Sequence, residues 1–161
     1  MTHRRAALLV ATALALAPLA AADDWRTFDG TWSATGSRHS LSTGAGPAAI
    51  ARLSGAIVLS GGAGSGFTAE AIGFDDGNGT TTGRAVWTDS RGDRIFSALR
   101  AGPLQTGRSV TGTFTGGTGR WASATGDYSL TWQYVVAGEE EAIQGRSADL
   151  RGRIRLQAAP R

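Results

Sequence analysis

Val110–Val136 reads VTGTFTGGTGRWASATGDYSLTWQYVV, and its pattern decides the fold class. Two runs with a period of two flank a glycine-rich turn at Gly116–Trp121. The first run puts Val110, Gly112 and Phe114 on one face. The second puts Tyr128, Leu130, Trp132, Tyr134 and Val136 on one face, with Asp127, Ser129, Thr131 and Gln133 on the other. Side chains alternate across a strand, so a strict two-residue period marks strands buried on one side.

Working outward, the same rhythm recurs between turn signals. Phe28–Ala34 reads as the first strand, with Arg38–Thr43 as its partner. Ile50–Ser60 follows, with Leu53, Ile57 and Leu59 on one side, and then Phe67–Phe74. Thr80–Thr88 and Arg94–Arg100 form a hairpin across Asp89–Asp93. Ser109–Thr115, Gly126–Ala137 and Ile143–Gln157 complete the set. In the last segment Ala148, Leu150, Ile154 and Leu156 alternate with Asp149, Arg151, Arg153 and Arg155, which rejects a helical period. Glycine supplies 24 of 161 residues and sits between the runs, as tight turns joining short strands require. About eight strands with sequential hairpins predict an all-β fold, a single antiparallel eight-stranded β-barrel. Closure removes the sheet edges that would otherwise recruit other chains.

Residues 1–22 read as a signal peptide. His3, Arg4 and Arg5 form a basic start, Ala6–Leu16 is apolar apart from Thr12, and Ala20–Ala22 offers small residues for cleavage. The apolar run is too short for a stable membrane span. Residues 23–161 then form one barrel domain, exported to the periplasm or secreted. Arg4 and Arg5 are two of the 16 basic residues, so the net charge of +3 falls to +1 without that segment. This near-neutral balance argues against nucleic acid as a partner. The chain has no cysteine, which excludes disulfides, thiol nucleophiles and thiolate-bound metals. It has no lysine either, which excludes a Walker phosphate loop and Schiff-base chemistry. His39 is the one histidine after residue 22, without a nucleophile elbow to accompany it.

Gly116, Gly117, Thr118, Gly119, Trp121, Ala124 and Gly126 resemble the GGTG-aromatic-x-x-A-x-G signature of the allene oxide cyclase-like and dirigent-like barrels. The hairpin at 85–99 is similar to one found in small exported bacterial members of that group. The resemblance implies a barrel with an apolar cavity, and a structural role for the glycine turn with its aromatic plugging one barrel end. It does not carry over catalytic side chains, because the signature is a scaffold motif.

The expected partner is a small apolar or amphipathic molecule inside the barrel. Trp32, Trp87, Phe96, Phe114, Trp132 and Tyr134 are the candidate lining residues, as aromatics on strands. Neither a cofactor nor a metal is expected. Acidic turns at Asp75, Asp76, Asn78, Asp89 and Asp93 carry hard oxygen ligands, but Asp-Gly and Asn-Gly are also ordinary hairpin chemistry. Glu70 is the candidate catalytic group. It shares a face with Thr68, Ile72 and Phe74: an inward face would make it a buried carboxylate fit for acid–base work, an outward one a solvated charge. Three functions follow: a ligand-binding barrel, a cyclase or isomerase acting on a lipid-like substrate, or a ligand-free module of the cell envelope. Arg120 and Asp127 are expected to pair across the signature turn. The sequence leaves the oligomeric state open.

Overall fold

The computed structural model describes residues 24–43, 46–102, 107–137 and 141–156. The expected signal peptide, residues 1–22, lies outside them. Eight strands run in chain order: β1 (Arg26–Thr43), β2 (Gly46–Gly61), β3 (Gly66–Asp75), β4 (Thr81–Asp89), β5 (Arg94–Ala101), β6 (Arg108–Gly117), β7 (Ala124–Ala137) and β8 (Ala142–Leu156). Each pairs antiparallel with the next, and β8 returns to pair with β1, closing the barrel. The all-β, eight-stranded antiparallel barrel expected from the sequence is the observed fold. No helix among the described residues is long and apolar enough to cross a membrane.

The alternation read from the sequence is the inside–outside pattern of the wall. Tyr128, Leu130 and Trp132 are buried, as are Ile57 and Leu59, while Leu53 packs against them part-buried. Two expectations change. Arg38–Thr43 is not the partner of the first strand but its continuation, and the partner is β2, with Trp32 opposite Ile57 and Arg38 opposite Ala51. In β8 a bulge at Ala148–Asp149 shifts the register against both β1 and β7. One extra residue reverses the facing of everything beyond it. Ser147 is therefore inside and Ala148 outside, while Leu150 and Ile154 remain buried. The bulge is braced by Asp149, whose carboxylate accepts from the Thr131 N–H (2.7 Å), the Thr131 hydroxyl (2.6 Å) and the Ser147 hydroxyl (2.8 Å). Burial pushes the Asp149 carboxyl up, but these donors together hold it below its ordinary value.

One end of the barrel is packed with rings. Phe28, Phe67, Trp87, Phe114, Trp121 and Tyr128 form a connected cluster with centroids 4.8–6.3 Å apart. The signature turn closes this end. Gly116 and Gly119 take positive φ (120° and 51°), which lets the chain turn sharply into a 3-10 segment, Gly119–Trp121. Trp121, 4% exposed, plugs the cluster, as expected of the aromatic in that turn.

The turn is held by Asp89 at the end of β4. Its carboxylate accepts from Trp121 Nε1 (2.9 Å), Arg120 Nε (2.8 Å) and the N–H groups of Arg91 (2.8 Å) and Asp93 (3.0 Å). Desolvation would raise its pKa, yet the bonds from Trp121, Arg91, Asp93 and Arg120 outweigh it and leave the carboxyl below its ordinary value. The expected pairing of Arg120 with Asp127 does not occur: Arg120 pairs with Asp89, and Asp127 with Arg153 at 3.0 Å.

Candidate functional site

The opposite end of the barrel is not filled. The inward positions there alternate between very small and very large. Ala51 on β2, Ala71 and Gly73 on β3, Gly83 on β4 and Ala101 on β5 present little or no side chain to the interior. Trp32 on β1 and Trp132 on β7 face them, their rings 5.1 Å apart and tilted. Small residues set against two indoles in tilted contact leave an apolar cavity of about 70 Å³. Leu53, Leu99, Val110 and Leu130 supply the rest of its aliphatic wall. A second void of about 20 Å³ lies deeper and shares Trp32, Ala71, Leu99, Val110 and Leu130 with the first. The two spaces are thus separated by aliphatic side chains with rotamers of their own.

The polar groups at this end include buried donors, besides the Thr81 hydroxyl and the Asp75 carboxylate at the end of β3. Trp32 Nε1 and Trp132 Nε1 are buried and make no hydrogen bond among the described residues. An unsatisfied buried N–H costs about 1–3 kcal/mol, whereas phenylalanine would fill similar space without that cost. Arg38 lies in phase with Phe28, Trp32 and Ala34, on the inward row of β1, two turns of the pleat beyond Ala34. It is half-buried, and its Nε is a third buried donor without a partner among the described residues. Tyr134 continues the inward row of β7 and meets Trp132 edge-on at 6.1 Å. Burial pushes the Tyr134 hydroxyl above its ordinary pKa, and the nearby Arg38 charge pulls the other way.

The sequence-derived candidates divide. Trp32 and Trp132 line the cavity, and Tyr134 sits against Trp132. Trp87 and Phe114 belong to the packed ring cluster at the other end; Trp87 borders only the small inner void. Phe96 faces the outside of the wall: its neighbours Ile95 and Ser97 take the inward positions, and Ser97 bonds the Tyr128 hydroxyl at 2.8 Å. Glu70 is exposed, on the outer face with Thr68, Ile72 and Phe74, so its carboxylate is outside the barrel and away from the cavity. That is the outward alternative left open by the sequence. The acidic turns are capped locally: Asp75 accepts from the Gly77 N–H and Asp76 from the Asn78 N–H. Among the described residues no group of three or more histidine or carboxylate side chains is placed to hold a metal ion.

Sequence reading missed Arg38, Leu99, Val110 and the alanines that create the space. Arg38 carried a usable signal, since its even number continues the row of Phe28, Trp32 and Ala34. The Gly36 between them hid it. No family model, curated protein or solved structure matches this chain.

Proposed function

We propose that this chain is an exported β-barrel protein that binds a small apolar or amphipathic molecule at the unfilled end of its barrel. Support comes above all from the apolar cavity of about 70 Å³ between Trp32, Trp132 and the small residues of β2–β5. A protein that needed only a stable barrel would gain by filling this space as it fills the other end with rings. Each buried methylene contributes about 0.8 kcal/mol. The export segment at residues 1–22 and the scaffold resemblance of the Gly116–Gly126 signature agree with this reading. The enzymatic alternative draws nothing from Glu70, whose carboxylate lies on the outer face.

Native mass spectrometry of protein purified from its own host tests the proposal. A retained small molecule is expected in the wild type. It is expected to be lost in Ala71→Leu, which puts three carbons into the cavity while the thermal midpoint holds or rises. Wild-type protein that arrives empty and shows no saturable binding of small apolar probes refutes the proposal in favour of a ligand-free envelope module.

A further inference from the structure

Three buried donors, Trp32 Nε1, Trp132 Nε1 and Arg38 Nε, belong to residues of the unfilled end and find no acceptor among the described residues. Arg38 stands opposite Ala51 in the β1–β2 register, and Ala51 lines the cavity. Among the described residues, the carboxylates of this end have partners of their own: Asp75, buried on the inward row of β3, and Asp76 cap their own turn, and Glu141 contacts His39. No ion pair joins Arg38 to a carboxylate among the described residues. The end therefore combines an apolar cavity, two buried indole N–H groups on the tryptophans that line it, and a half-buried arginine opposite one of its lining residues.

We propose that this end takes a small organic anion with a compact apolar body, a branched-chain or single-ring carboxylate, whose body enters the cavity and whose carboxylate is held by Arg38. The inference rests on the ligand-binding reading above and adds the ligand's charge and size. A carboxylate offers about four lone-pair sites to a surrounding set of donors and suits a guanidinium better than any neutral group does. An ammonium ligand would bring donors to donors and a positive charge to Arg38. Size is limited by volume: the cavity is about half the ~150 Å³ of an engineered apolar cavity that holds benzene. An isopropyl group fits directly, and a ring fits once Leu99 or Leu130 turns toward the inner void. A long acyl chain does not fit.

The test uses two matched pairs of probes, 3-methylbutanoate with 3-methylbutanamide and benzoate with benzamide. They are titrated into the full-length protein and into its Arg38→Gln variant, and the indole N–H signals of its five tryptophans are followed by NMR. The carboxylates are expected to move the Trp32 and Trp132 signals saturably and to bind at least tenfold more tightly than their amides. In Arg38→Gln that preference should vanish while the amide affinity stays within about twofold. Equal binding of acid and amide by the wild type overturns the anion inference and leaves the ligand-binding reading standing. So does an Arg38→Gln variant that keeps the preference. If no probe of either kind shifts those signals, both readings fall. Should Arg38→Gln lose its dispersed spectrum, the wild-type comparison and Arg38→Lys, which should retain part of the preference, decide the matter.

Discussion

Replacing Asp89 with asparagine keeps the side chain's size and removes its charge, at a point where two turns depend on that charge. One carboxylate oxygen serves the Arg91 and Asp93 N–H groups, and the other serves Trp121 Nε1 and the Arg120 guanidinium. Asparagine offers only one acceptor oxygen. If that oxygen keeps the backbone pair, its amide N–H₂ faces the indole N–H, donor against donor. The Asp89 side chain is 1% exposed, so water cannot take over. A stranded indole N–H costs about 1–3 kcal/mol, and a lost hydrogen bond to a charged partner about 1.5–3. Arg120 is 43% exposed and can turn to solvent, which offsets part of the second cost. The net expectation is a destabilisation of about 3 kcal/mol. For a domain of this size that lowers Tm by roughly 10 °C. Near-UV circular dichroism on heating reads it through Trp121 and its ring cluster. A variant melting within 3 °C of the wild type would refute the claim that Asp89 holds the signature turn. The pH dependence has a fixed sign. The folded pKa of Asp89 lies below its unfolded value, so the stabilisation is complete above about pH 4 and is lost as pH falls through the lower folded value. The urea midpoint of the wild type should therefore drop below pH 4. In Asp89→Asn the drop should be shallower but present, because Asp149 is depressed in the same direction.

Gly112 lies under the Tyr128 ring, and a Cβ there would collide with the ring's Cζ and Cε atoms. Tyr128 is 4% exposed and tied to Ser97, so it cannot yield. Gly112→Ala should cost about 2–3 kcal/mol by calorimetry, whereas Gly102→Ala, where a Cβ meets nothing within 4 Å, should stay within about 0.5 kcal/mol of wild type. Burial pushes the Tyr128 hydroxyl up to about 12, against weaker opposing bonds from Ser97 and Trp87. A raised folded pKa contributes stability that is complete below the unfolded value near 10 and declines as pH rises through 12. Absorbance titration at 295 nm should show one tyrosine ionising only near or above pH 12, and two tyrosines titrating together near pH 10 would contradict the buried Ser97–Tyr128 pair.

The fold was legible because a barrel wall writes its two faces into the sequence. Tyr128, Leu130 and Trp132 had to alternate with polar residues for β7 to stand between core and solvent. The misreadings fall where that rule is locally suspended. A bulge adds a residue that pairs with nothing, so Ala148 kept the sequence's parity and lost its place in the core to Ser147. Ile95 and Phe96 are adjacent apolar residues, and alternation alone does not say which one faces inward. The packing chose Ile95 and set a serine beside it to satisfy the Tyr128 hydroxyl. The candidate site was least legible because it departs from the alternation in composition. At the filled end the inward rows carry rings, and at the other they carry Ala51, Ala71, Gly73 and Gly83, which look like weak strand, while the inward row of β1 ends on Gly36 and Arg38, which looks like a loop. Space inside a barrel is made by leaving side chains out, and a search for striking residues passes over omissions. The two indoles are the visible half of the candidate site, and the small residues opposite them are the half that makes the space.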